Sequence, residues 1–192
     1  MLALKDAYSS SCAWSTDYTS PYADQVAHPY CQDFKTSFQD VSSGYDASSS
    51  AYAGLTTNPA WYYCKNYNDG TTHSGDLAGK IWYLPSMGDW WDIMENLCTW
   101  TAAQKTTIQG MRTSTSFRTL ISGLSGYYST FDTKLSAGGA GSPLNHSNYY
   151  WSASEYLSNG AVVVAFVSSR VYVSGNSKTD SDDCYVRAVL AY

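Results

Sequence analysis

Residues 149–192, YYWSASEYLSNGAVVVAFVSSRVYVSGNSKTDSDDCYVRAVLAY, carry the most regular pattern in the chain. Residues 149–154 and 161–166 are short apolar and aromatic runs, and 170–174 (RVYVS) alternates apolar with polar side chains; both patterns read as strands. Residues 185–192 (YVRAVLAY) read as a closing strand that reaches the C-terminus. The pieces between them, 156–160 and 175–183, are short and polar, so the strands are expected to be neighbours in one antiparallel sheet.

Upstream the period changes from two to about four. Ser86 follows Leu84-Pro85 and can cap a helix, Asp89 three residues later completes a capping box, and Trp90, Ile93, Met94 and Leu97 fall on one stripe. This pattern predicts a helix over 87–99. Residues 101–111 and 116–122 read as weaker helical segments, and 127–136 (YYSTFDTKLS) as another, stopped by Gly138-Gly139. The first 80 residues are turn-rich: 42–50 (SSGYDASSS) and 66–76 (NYNDGTTHSGD) read as loops, with 60–67 (AWYYCKNY) as a short aromatic strand between them. No repeat, charge run or Pro-rich linker marks a boundary. Residues 1–192 therefore read as a single domain of α+β class, a loop-rich part over 1–80 followed by helices and long loops packed on a small antiparallel sheet.

The chain has 192 residues, enough for one domain with a proper core. Only 14% of residues are charged, where about a quarter is usual, so the polar surface must be built from Ser, Thr, Asn, Gly and Tyr. A net charge of −5 with no Lys/Arg cluster argues against nucleic acid as a partner. Eighteen Tyr and seven Trp exceed what a core this size can supply with hydrogen-bond partners, so many rings are expected to be partly exposed. Two readings of that composition stand: an adaptable binding surface, or a β-rich protein that uses Tyr in its strands. The start MLALKDAYSS lacks the basic region of a signal peptide, and the longest apolar stretch, 161–167, is too short to span a bilayer.

Short motifs give no case for catalysis. His28, His73 and His146 lie in loop-like contexts with no Asp or Glu patterned around them and read as surface residues. Glu95 and Glu155 are the only glutamates, which argues against a Glu-based pair for sugar hydrolysis. GxSxG, the phosphate-binding loop, GxGxxG, HExxH and the EF-hand loop are missing. Cys12, Cys31, Cys64, Cys98 and Cys184 have no metal-ligand spacing, so no metal or cofactor is expected; one or two disulfides and a fully reduced set both stay open. Cys184 could pair with Cys98 at the end of the main helix, or remain an unpaired, partly buried thiol. Asp180-Ser181-Asp182-Asp183 matches no calcium loop and reads as a solvated acidic turn.

Several spaced motifs stand in a familiar order. Tyr83-Leu84-Pro85-Ser86 leads into a helix with Trp90; Leu135-Ser136-Ala137-Gly138-Gly139 and Pro143-Leu144 follow; then come Tyr150-Trp151-Ser152-Ala153-Ser154-Glu155, Phe166, Val171 and Lys178, and last YVRAVLAY. Over about residues 60–192 this resembles a C-type lectin fold family of gut Bacteroidetes and their phages. The tail, 145–192, is similar to the variable region and closing strand of the variable proteins of diversity-generating retroelements. In that family mutated adenines turn AAY codons into a set of residues that excludes Lys, Glu, Gln, Met and Trp. Residues 145–185 hold three residues of those types, Trp151, Glu155 and Lys178, all at framework positions of the family pattern, against 22 in the other 151 residues.

The resemblance implies a fixed framework of Trp151, Ser152, Glu155, Ala161, Val163, Phe166, Val171, Lys178, Val186 and Arg187. It implies a ligand surface made of the interleaved Tyr149, Tyr156, Leu157, Ser158, Asn159, Val162, Val164, Val167, Arg170, Tyr172, Ser174, Asn176, Ser177, Asp180, Asp182 and Asp183. The chain departs from the pattern at Ala188, where Pro is expected, at Ser169, where Gly is usual, and at Val162, where Trp is common. Calcium-dependent sugar binding in this fold uses EPN, QPD or WND triplets, and none occurs. Formylglycine-generating enzymes share the fold but need a reactive cysteine pair that the wide spacing does not offer. What the resemblance implies is a receptor- or adhesin-type binding protein without catalysis, displayed extracellularly, on a cell surface or on a virion, with a protein or cell-surface glycan as ligand. The alternative is a non-diversified adhesin or fimbrial tip subunit of the same fold.

Overall fold

The run AVVVAFV is buried along almost its whole length, so its strand needs a packed layer on each face, and the rest of the chain supplies those two layers. The structure is a computed structural model and describes residues 1–17, 27–68, 78–116, 120–124, 126–137, 141–167 and 169–190. The helices are α1 (Phe34–Gln39), α2 (Ser43–Ser48), α3 (Pro59–Lys65), α4 (Met87–Leu97), α5 (Ala102–Met111) and α6 (Tyr127–Ser136), with a 3-10 turn at Tyr52–Gly54. The strands are β1 (Trp82–Tyr83), β2 (Leu120–Ile121), β3 (Tyr149–Leu157), β4 (Gly160–Val167), β5 (Arg170–Ser177), β6 (Cys184–Tyr185) and β7 (Val189–Leu190). The protein is thus a mixed α/β molecule with two sheets, one ordered β2-β5-β4-β3-β6 and one pairing β1 with β7.

β3, β4 and β5 form the antiparallel meander expected from 149–177, with Val163 opposite Trp151 on one side and Ser174 on the other. Because side chains alternate across a strand, the meander has two different faces. Tyr150, Val162, Val164, Phe166, Val171 and Val173 point into a first core shared with Phe34, Trp90, Trp91, Met94, Tyr127 and Phe131, the layer of α1, α4 and α6. Trp151, Ala153, Ala161 and Val163 point into a second core with Trp14, Ala47, Trp61, Cys64 and Trp82, the layer of the N-terminal segment, α2 and α3. Each fully buried large side chain contributes about 1.5–3 kcal/mol, so neither core is dispensable. Three buried indole N–H groups find internal partners, Trp14 on the Ser152 carbonyl at 2.8 Å, Trp151 on the Cys12 carbonyl at 2.8 Å and Trp91 on Ser37 Oγ at 2.9 Å.

The best-capped helices form where the pattern places them. Ser86 and Asp89 make a reciprocal capping box at α4, and Thr101 with Gln104 makes another at α5. α4 ends at Leu97, two residues before the expected stop; α6 matches 127–136, while Gly138-Gly139 lies outside the described residues.

Four expectations are corrected. Residues 60–67 are not a strand: 60–65 belong to α3, started by Pro59 at its first turn, with Trp61 and Cys64 inward. Residues 42–50 are not a loop but contain α2, which fits because Gly44 lies where a Cβ would stand 1.9 Å from the Leu84 carbonyl oxygen. In 116–122, Leu120–Ile121 is strand β2 on the edge of β5. The closing segment is not one strand: β6 pairs parallel with β3, β7 pairs antiparallel with β1 in the other sheet, and the larger sheet is therefore mixed. The buried Arg187 lies between them, with Nε donating to Asp6 Oδ1 at 2.8 Å and Nη1 to the carbonyls of Leu4 and Ser142.

The first residues run along this closing segment. Ala3, Ala7 and Cys12 donate their backbone N–H groups to the carbonyls of Ala188, Val186 and Cys184 at 2.8–2.9 Å.

Candidate ligand-binding face

The ten framework positions implied by the resemblance are all buried: Trp151, Ser152, Glu155, Ala161, Val163, Phe166, Val171, Lys178, Val186 and Arg187. The polar ones are tied down internally. Lys178 Nζ donates to Glu155 and, at 2.7 Å, to the Ser158 carbonyl, and stands 4.8 Å from the centre of the Trp14 ring. Burial lowers the Lys178 pKa, and the Glu155 carboxylate works against that. The Lys178 backbone N–H also holds the Asn159 carbonyl at 3.1 Å, so the Ser158-Asn159 turn is anchored to the end of β5.

The sixteen interleaved positions divide three ways. Tyr149, Tyr172, Asn176, Asp180 and Asp183, with the buried Ser174 and Val163 at its floor, line one open concavity of about 330 Å³ beyond the second core. The Tyr149 and Tyr172 rings meet at 5.8 Å with a 54° tilt. Asn176 Nδ2 donates to Asp180 Oδ2 at 2.8 Å and to Cys184 Sγ at 3.4 Å, and the Asp182 N–H donates to Asp180 Oδ1 at 3.1 Å. The Asp183 carbonyl accepts the Tyr149 N–H at 3.0 Å, which fixes the acidic turn against β3. Burial, and then the neighbouring Tyr172 ring, push the Tyr149 hydroxyl pKa up, so it stays a neutral donor at pH 7.

A second group lies on the rims and turns. Leu157, Ser158, Arg170 and Asp182 are exposed, and Asn159, Val167 and Ser177 are half-buried. The third group does not face solvent as expected. Val162 and Val164 are fully buried in the first core, because β4 is covered on both faces and its even positions point at α4. Tyr156 also packs toward that core, its ring lying over Gly175, where an added Cβ would meet ring carbons at 2.3–2.5 Å. Tyr156 keeps the parity of Tyr150 along β3, so simple alternation puts it on the first-core face, opposite Tyr149 and Tyr172.

The polar clusters elsewhere differ from expectation as well. His146 is not a bare surface residue: Nε2 lies 2.6 Å from Asp132 Oδ2 and Nδ1 2.6 Å from the Phe166 carbonyl, joining the 141–148 loop to α6 and β4. His28 lies between Asp40, at 3.7 Å, and Asp46, at 3.2 Å. Both sets join residues far apart in sequence, so no spacing betrays them. His73 lies outside the described residues. All five cysteines are free and buried. Cys98 belongs to the first core and Cys184 to the second, so they do not pair. Burial pushes the thiols of Cys12, Cys98 and Cys184 up to about 12 and those of Cys31 and Cys64 up as well, which leaves none of them a ready nucleophile.

Among the described residues no group of His, Cys, Asp and Glu is placed to hold a metal ion, and no helix is long and apolar enough to cross a membrane. No family model matches the chain, and no curated protein and no solved structure matches it.

Proposed function

We propose that this protein is a ligand-binding protein of the receptor or adhesin type, built on a C-type lectin-like scaffold similar to the variable proteins of diversity-generating retroelements, and that it performs no catalysis. One observation carries the reading: ten framework positions are buried, while Tyr149, Tyr172, Asn176, Asp180 and Asp183, interleaved with them, line one open concavity. These five are half-buried or exposed rather than part of the buried framework, so substituting them costs less stability than substituting the core, and such a face can change its ligand without changing its fold. Tyrosines supply rigid contact area there, and Ser, Asn and Asp supply adaptable hydrogen bonds. The ligand of such a face is a macromolecule met outside the cell or at its surface.

Burial of Val162 and Val164 favours a second reading, a non-diversified adhesin or fimbrial tip subunit of the same fold, because a position inside the core cannot be varied freely. A displayed library randomised at the five concavity residues tests the scaffold claim. Most members should resist protease and some should bind unrelated protein targets; a library that largely fails to fold overturns it. Sequencing the surrounding locus separates the two readings. A template repeat differing at the adenines of these five codons supports diversification, and a locus with no repeat and no reverse transcriptase leaves the fixed adhesin.

A further inference from the structure

Resting on that reading, we propose that the ligand is a protein segment that presents an arginine or lysine side chain to the concavity between Tyr149, Tyr172 and the acidic turn 180–183. Three acids elsewhere have a basic partner, Glu155 with Lys178, Asp6 with Arg187 and Glu95 with Arg112, while Asp33 and Asp89 serve helix caps without one. Asp180, Asp182 and Asp183 place three carboxylates within four residues, and among the described residues no Lys, Arg or His pairs with them. This turn is a negative patch open to a cation from a partner.

The patch is held ready rather than loose. Asn176 fixes the Asp180 carboxylate from one side and the Asp182 N–H from the other, and the Asp183 backbone is bonded to β3, so a cation meets carboxylates that need little further ordering. Opposite them stand two tyrosine rings tilted at 54°, not stacked flat, whose faces attract a cation through the ring quadrupole. Aromatic walls with carboxylates on one rim suit an organic cation. A bare metal ion is the poorer fit, since the acids of the turn do not converge into a cation-holding group.

The concavity is open and of about 330 Å³, the low end for a small-molecule site, which suits one protruding side chain of a larger partner. The net charge of −5 draws cationic partners from a distance.

The test is a phage-displayed random-peptide library panned on the wild-type protein, with counter-selection on a Tyr149→Ser/Tyr172→Ser variant. Recovered peptides should share an arginine or lysine. Their synthetic copies should bind about tenfold more weakly to an Asp180→Asn/Asp183→Asn variant, the size expected for two exposed ion contacts, and should also weaken as salt rises. Asparagine can still accept the bonds at position 180, and thermal melts verify that both variants are folded. Should the double variant unfold, Asp183→Asn alone carries the test with about a threefold loss, because its carboxylate makes no internal bond among the described residues. Peptides that need the tyrosines but are neutral or acidic and indifferent to the Asp variants overturn the cation inference while leaving the binding face intact. If no peptide discriminates wild type from the tyrosine variant, the binding-face reading itself falls.

Discussion

Glu155 and Lys178 are a charged pair sealed inside the protein, and replacing Glu155 with alanine should be among the most damaging single changes on the sheet. Lys178 is fully buried and Glu155 is 4% exposed. With the carboxylate gone, the ammonium keeps the Ser158 carbonyl and the Trp14 ring but loses the Glu155 counter-ion in a buried site. Stranding one partner of a buried pair costs about 3–5 kcal/mol. For a domain of this size each kcal/mol lowers Tm by roughly 2–4 °C, so Glu155→Ala should melt roughly 6–20 °C below wild type. Replacing both partners with methionine removes the stranded charge and should fall within about 2 kcal/mol of wild type, so the two single losses should not add. Urea unfolding followed by tryptophan fluorescence reads all four corners of this cycle, and high salt should leave the coupling unchanged because a buried pair is screened little. A Glu155→Ala cost below about 1 kcal/mol, or a double variant as damaged as the sum of its parts, would refute the picture of a buried, closed pair.

Three further outcomes follow from the packing. Burial pushes the Asp89 carboxyl up to about 6. The folded state therefore holds a proton that the unfolded chain releases near pH 4, so stability should fall by about 3 kcal/mol as pH rises from 4 through 6, and Asp89→Asn should flatten that slope in melts across the window. Gly44→Ala drives a Cβ to within 1.9 Å of the Leu84 carbonyl oxygen and should cost about 3 kcal/mol or more, whereas Gly110→Ala meets nothing within 4 Å inside α5 and should stabilise by about 0.5–1 kcal/mol; chemical melts of the two variants should move in opposite directions. Iodoacetamide at pH 8 should leave the native protein unmodified and add to all five cysteines once guanidinium unfolds it, as counted by mass spectrometry.

Ser86 with Asp89 announces α4 by local hydrogen bonding, and the same contacts are present in the fold; the equally complete box of Asp33 with Thr36 at α1 goes unread because six residues are too few to show a helical stripe. The meander was legible because strand period and short polar connections are local facts too. α2 and α3 were misread for a different reason: Ser-rich and Tyr-rich composition argued for loop and strand, and only the packing of Gly44 under Leu84 and of Trp61 into the second core makes helix the better choice. The closing segment was misread because its register is set by two different sheets, which no alternation within eight residues can announce. The candidate site was half visible. Tyr149, Tyr172, Asn176, Asp180 and Asp183 come together as the interleaving implies, but alternation along β3 sends Tyr156 to the opposite face from Tyr149, and burial on both faces of β4 takes Val162 and Val164 out of reach.

The pairing of the first residues with the last has a kinetic side. Arg187 and Asp6 are 181 positions apart, and Ala3, Ala7 and Cys12 bond to Ala188, Val186 and Cys184. Until residue 188 has left the ribosome, the N-terminal segment has no rail to lie on, and the Trp14 indole has no second core to enter. Closing loops of that span before any contact rewards them is slow, so the chain should complete its fold only once residues 184–188 are free to pair, on the millisecond-to-second scale of proteins dominated by distant contacts. During that interval the second face of β4 is bare, which makes prompt capture of the opening residues a condition for escaping aggregation.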